Sequence, residues 1–216
     1  MKTKLIAVAI VGGAIGLVIA ADDSAPSVSA DAALAKLKEG NARYVNSKVS
    51  SGKPTAARRA ETAQGQHPFA AILGCADSRA TPEIIFDQNI GDIFVDRNAG
   101  NLVDDHTLGT IEYGVEHLGV RLIVVLGHER CGAVQAAVAS DTAPGHIQSL
   151  VRDIQPAVQA VKGKPGDQVH LAVAENARLM AEEIRSKANL GDLAKDVKII
   201  PAVYDLDSGK VDFGKE

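Results

Sequence analysis

The chain has 216 residues, 46% of them hydrophobic and 23% charged, with a formal net charge of −4. That length suits one substantial domain or two small ones, and the composition is that of an ordinary globular protein. The acid excess and the lack of a long basic run argue against a nucleic-acid partner.

Lys2 and Lys4 precede an uncharged apolar run from Leu5 to Ala21, which gives way to Asp22-Asp23-Ser24-Ala25-Pro26. A basic start, an apolar middle and a small-residue exit predict a secretory signal over 1–21. The protein is thus expected to be exported, to the periplasm, with membrane contact only through this segment if it stays uncleaved. Residues 22–30 read as a linker, leaving 31–216 as a single domain. Asp31 is placed to cap a helix starting at Ala32, with Gly40 as an interruption. Pro54 can open a second helix, Thr55 to Ala63, with Arg58 and Arg59 on its solvated face. These helices have too little apolar surface for a core of their own. They read as an N-terminal arm lying across the domain or across a partner chain.

Further along, short apolar runs alternate with helical patterns. A strand is expected at 69–74, a helical turn at 82–86, a second strand at 92–96 and a turn-rich stretch at 97–101. Leu108, Ile111, Val115 and Leu118 keep helical spacing and lead to a third strand at 121–126. Helices follow at 133–139, at 145–161 with Pro156 bending or splitting it, and at 168–189. A strand at 197–200 is interrupted by Pro201, and 204–211 forms a hairpin turning at Asp207-Ser208-Gly209. The alternation predicts an α/β fold with a mostly parallel sheet flanked by helices.

Two stretches carry the chemistry. Cys75-Ala76-Asp77-Ser78-Arg79 and His128-Glu129-Arg130-Cys131 each follow a buried-strand pattern, and ligands of parallel sheets gather beyond the carboxyl ends of the strands. Two thiolates, an imidazole and a carboxylate make a zinc-ligand set. The default for two cysteines in an oxidising compartment is a disulfide. A structural bridge, however, needs neither Asp77-Ser78-Arg79 nor a histidine three residues before Cys131. His67, His106, His117, His146 and His170 have no ligand partners at suitable spacing.

Together these motifs resemble the zinc signatures of the β-class carbonic anhydrases. The likeness extends through Ile85-Phe86-Asp87-Gln88, Gly91-Asp92-Ile93-Phe94-Val95, Arg97-Asn98-Ala99-Gly100-Asn101 and Thr110-Ile111-Glu112-Tyr113-Gly114, over about residues 32 to 213. It implies one Zn²⁺ per chain, held by Cys75, His128 and Cys131 with a fourth position open to water. Zinc-bound hydroxide would then attack carbon dioxide to give bicarbonate. Asp77 would either close the zinc shell as a further ligand or pair with Arg79 as a catalytic dyad. Gln66 would supply a substrate-binding amide, and the Gly132 N–H either binds a developing anion or marks a tight turn. A homodimer or homotetramer is implied. Glu129 and Arg130 depart from the family's small or neutral pair. Two other readings keep the zinc: a carbon disulfide or carbonyl sulfide hydrolase, and a non-catalytic zinc-stabilised binding protein.

Overall fold

The structure, a computed structural model, describes residues 28–50 and 55–215. The expected signal, most of the linker and Pro54 lie outside the described residues. In chain order the elements are α1 (Ala30–Val45), α2 (Ala56–Thr62), β1 (Ala70–Cys75), α3 (Pro82–Ile85), β2 (Ile93–Asn98) and α4 (Asp105–Glu116). There follow β3 (Leu122–His128), α5 (Gly132–Ala139), α6 (Ile147–Val161), α7 (Gln168–Lys187), β4 (Lys198–Tyr204) and β5 (Val211–Phe213).

The strands form one sheet in the order β2-β1-β3-β4-β5, parallel except for the β4–β5 pair. Every residue of β1 and β3 is buried, which explains their unbroken apolar runs: strands covered on both faces have no polar side to show. Side chains alternate between the faces. Ala71, Leu73, Cys75, Ile123 and Val125 point into the core beneath α4 to α7, and Ala70, Ile72, Leu122 and Val124 into the core beneath α1 and α3. The chain leaves β1 toward β2 on one side and returns as β3 on the other. A crevice therefore opens at the carboxyl ends of β1 and β3, where the strand order reverses.

Several local expectations are corrected. Ser29, not Asp31, caps the first helix, its hydroxyl accepting from Ala32 N, and Asp31 sits in the first turn. Gly40 does not interrupt α1. A Cβ there would lie 1.8 Å from the Phe86 carbonyl oxygen, so glycine lets the helix press against the loop after α3. Next to it, buried Asn41 donates to the Ile85 and Gly209 carbonyls and accepts from Val211 N. The helix thus lies across its own sheet, with Ala33 and Leu37 fully buried. Helix α2 buries nothing and is fastened by polar contacts. Arg58, expected on a solvated face, donates to Asp92 Oδ1 at 2.7 Å and to the Ile90 carbonyl at 3.0 Å.

Pro156 does not split α6, because Ile154, Ala157 and Val161 keep both halves on one buried face. Pro201 does not end β4. Lys198 N donates to Arg121 O on the β3 side, so alternate N–H groups face β3 and the donor missing at Pro201 falls on the side of the short strand β5. Arg97 and Asn98, expected in a turn, extend β2. The hairpin ending forms as expected, with Gly209 at φ +74° in its turn.

The close approach at Gly40 sets up a contrast with Gly109, at an exposed position of α4, whose Cβ would meet nothing within 4 Å. Gly40→Ala should lower stability by about 2 kcal/mol or more, whereas Gly109→Ala should raise it by up to about 1 kcal/mol. Urea denaturation midpoints of the two variants give the signs.

Candidate metal centre

Cys75 ends β1, His128 ends β3, and Cys131 is the N-cap of α5. Their ligand atoms all lie within 4.8 Å of one another, and all three residues are buried. The two sulfurs are 3.9 Å apart and unbonded, well beyond the roughly 2.05 Å of a disulfide. His128 Nδ1 lies 2.9 Å from the Glu129 carbonyl oxygen. A carbonyl only accepts, so in the neutral ring the proton is on Nδ1 and Nε2 keeps its lone pair. That Nε2 is buried without a hydrogen-bond partner and faces the sulfurs. A buried imidazole lone pair left unpartnered is costly in a finished core, and beside two thiols it fits a zinc ion held by two sulfurs and one nitrogen.

The charges suit a cation. The hydrogen bond from Cys131, with His128 and the Gly100 N–H, holds the Cys75 thiol down to about 4 against burial. The same contact with Cys75, and burial, push Cys131 well above the ordinary thiol range. Burial lowers His128, but the neighbouring Cys75 sulfur, which favours the charged ring, outweighs it and the net shift is upward. The Cys75–Cys131 contact thus makes one sulfur easier and the other harder to deprotonate.

Asp77 and Arg79 flank the cluster. Arg79 donates through Nε to Asp77 Oδ1 at 2.9 Å and through Nη2 to Oδ2 at 2.8 Å, and its backbone N–H also reaches Oδ1. These contacts hold the Asp77 carboxyl far below the usual carboxylate range, so it stays charged under any working condition. Asp77 Oδ2 is 3.8 Å from His128 Nε2. In this structure the carboxylate is therefore turned onto Arg79 and is not one of the three clustered donors.

The surrounding contacts fix these residues. Arg97 donates to the carbonyls of Cys75 at 2.8 Å and Asp77 at 2.6 Å, pinning the loop between them. Arg130, at φ +52°, grips Asp207 of the β4–β5 turn with two bonds of 2.7 and 2.9 Å. Glu129 lies 3.2 Å from His170 Nδ1. The Glu129-Arg130 pair is thus tied down within its own chain. Gly132 opens α5 beside Cys131, and a Cβ there would meet nothing within 4 Å, so no crowding requires the glycine. Gln66 is exposed and precedes β1, whereas Cys75 ends it. The six residues of β1, at about 3.3 Å each, keep Gln66 from the cluster of its own chain. Nothing in the local spacing of Arg97-Asn98-Ala99-Gly100-Asn101 singles out Arg97 or Gly100 for these contacts.

A family model described as carbonic anhydrase matches residues 70–211. The chain belongs to the β-class carbonic anhydrases. It is 48% identical over 137 residues to carbonic anhydrase 2 of Mycobacterium tuberculosis, covering 62% of this chain and 66% of that protein. It is 37% identical over 194 residues to the carbonic anhydrase of Mycolicibacterium smegmatis, covering 87% and 94%. Among solved structures, the β-carbonic anhydrase of Coccomyxa, in complex with acetazolamide, matches with TM-score 0.65 at 26% identity over 83% of this chain and 85% of that one. CafA of Aspergillus fumigatus gives TM-score 0.66 at 25% identity over 86% and 90%.

Zinc uptake by this chain must displace the proton on Cys131 and, where the His128 ring is charged, that proton as well. Apparent zinc affinity should therefore fall by at least about tenfold for each pH unit lowered between about pH 8 and 6, more steeply toward the acid end. Chelator competition across that range measures it, and a flat profile would contradict this proton release.

Proposed function

We propose that the chain catalyses the reversible hydration of carbon dioxide to bicarbonate and a proton with one zinc ion held by Cys75, His128 and Cys131. The observation that carries this reading is the position of Asp77. With both of its oxygens on Arg79, three protein donors remain in the cluster and a fourth position is left for water, as a catalytic zinc site requires. When bound, zinc supplies Lewis-acid activation of water, bringing its pKa toward about 7.

The chain's own residues do the rest. Asp77, charged and fixed by Arg79, accepts a hydrogen bond from water at the edge of the cluster and sets its orientation. Arg79, half exposed, places positive charge where bicarbonate forms and departs. The N–H of Gly132, one of the donors left unpaired at a helix start, adds a neutral contact for the developing anion. Arg97 keeps Cys75 and Asp77 in register by holding both carbonyls. A site that served only to stabilise the fold would need neither Asp77 nor Arg79.

The position of Gln66 bears on assembly. If it supplies a substrate-binding amide, that amide must come from a second chain, since its own chain holds it beyond the far end of β1. An oligomer accords with this, and β-carbonic anhydrases of Sordaria macrospora that share the fold (TM-score 0.62, 23% identity) are described as tetrameric. Export to the periplasm rests on the sequence of residues 1–21 alone.

Arg79→Lys keeps the charge but loses the planar two-donor fork. It should lower carbon dioxide hydration by about 10- to 100-fold with zinc content unchanged, as read by stopped-flow assay beside metal analysis. Undiminished turnover would remove the dyad from the mechanism, and zinc without activity in the unaltered chain would leave a binding protein.

A further inference from the structure

Helix α7 packs an apolar face of Ala172, Val173, Ala177, Met180 and Ala181 against the sheet, and in the middle of that face stands Asn176, 1% exposed. An amide in such a place needs a reason, since an apolar residue of the same shape would pack there without needing any partner. Its Nδ2 donates to the Gly100 carbonyl at 2.9 Å, across 76 residues of sequence, while its Oδ1 has no hydrogen-bond partner. Only the donor end of the amide is used.

Gly100 is the residue whose N–H donates to Cys75 Sγ at 3.4 Å. It sits at φ +85°, and a Cβ there would come within 3.0 Å of Ile154 Cδ1, so both its conformation and its surroundings call for glycine. The loop around it is braced by the Asn98 side chain, which donates to the Leu102 carbonyl and accepts from Leu102 N. The Gly100–Asn101 peptide is held at its N–H end as well, Asn101 N donating to the Asn98 carbonyl at 3.2 Å, which leaves its carbonyl pointing toward α7. Asn176 holds that carbonyl, and the neighbouring peptide then presents its N–H to the sulfur.

We infer that Asn176 is a positioning residue for the metal centre: by holding the Gly100 carbonyl it aims the Gly100 N–H at the Cys75 thiolate. This rests on the zinc reading given above. A hydrogen bond donated to a ligating thiolate draws charge from the sulfur and fixes its lone pairs. Outer contacts of this kind typically change metal affinity by about 10- to 100-fold.

The test compares the full chain with Asn176→Leu and Asn176→Ala, neither of which can donate to the carbonyl, and with Val173→Ala as a packing control one turn away on the same helix. Zinc dissociation constants come from chelator competition, the thiolate-to-metal charge-transfer band from cobalt-substituted protein, and folding from thermal melts. Both Asn176 variants should bind zinc about 10- to 100-fold more weakly and shift the cobalt band, while Val173→Ala lowers the melting temperature and leaves both metal readouts unchanged. Unchanged zinc affinity and an unmoved band in a folded Asn176 variant would overturn the assignment and leave Asn176 as a core-packing amide. Should neither variant fold, the unaltered chain loaded with ¹¹³Cd decides: a coupling between the Gly100 amide proton and cadmium supports the relay, and its absence overturns it. Failure of the unaltered chain to bind zinc, cobalt or cadmium at all would instead refute the zinc reading beneath it.

Discussion

The parallel pairing of β1 with β3 is the constraint from which the rest follows. Ala71 to Gly74 stand opposite Ile123 to Leu126, so the two strands end at the same edge, and Cys75 and His128 end them. Neither residue could be moved by one position without harm. The two-residue period of a strand would turn Cys75 from one core to the other, and the imidazole would leave the crevice. Cys131 joins them only because the chain turns through Arg130, in a left-handed conformation, to start α5. Arg130 is held there by Asp207, 77 residues further along the chain at the same edge of the sheet. The metal centre is thus a consequence of strand register, with one loop bent to complete it.

A second layer of contacts keeps this arrangement from relaxing. Two sulfurs and an unpartnered imidazole nitrogen within 4.8 Å are an awkward group to bury without an ion, and the surrounding residues bear on each in turn. The Glu129 carbonyl fixes the tautomer of His128, Gly100 N–H faces Cys75, and Arg97 ties the Cys75 and Asp77 carbonyls together. Arg79 draws the Asp77 carboxylate away from the donors. Each of these contacts acts through orientation more than through stability, since an exposed ion pair such as that of Arg79 is worth little by itself.

How much of this could be read from the chain depended on how local the cause was. The buried strands showed because branched apolar runs ending in glycine are local. The three donors showed because their spacing after those strands is local too. Gly40 looks like a break in the sequence because the Phe86 carbonyl it makes room for lies 46 residues away. Pro201 looks like a break because sequence does not tell which side of a strand faces a short neighbour. Arg58 looked solvated because its partners, Asp92 and the Ile90 carbonyl, are brought near only by the fold. Asn176 gave no sign beyond an amide at an apolar position of a helical stripe. Gln66 was placed by resemblance, and the topology sets it at the other end of β1, a separation that residue spacing alone does not reveal.

The most direct measurement is anomalous diffraction at the zinc edge from crystals of protein purified without added metal. The account predicts one peak per chain, within about 2.0–2.3 Å of His128 Nε2 and the sulfurs of Cys75 and Cys131, with Asp77 on Arg79. No peak together with bonded sulfurs, or a peak held by Glu129, Asp205 and Asp207 instead, would contradict it.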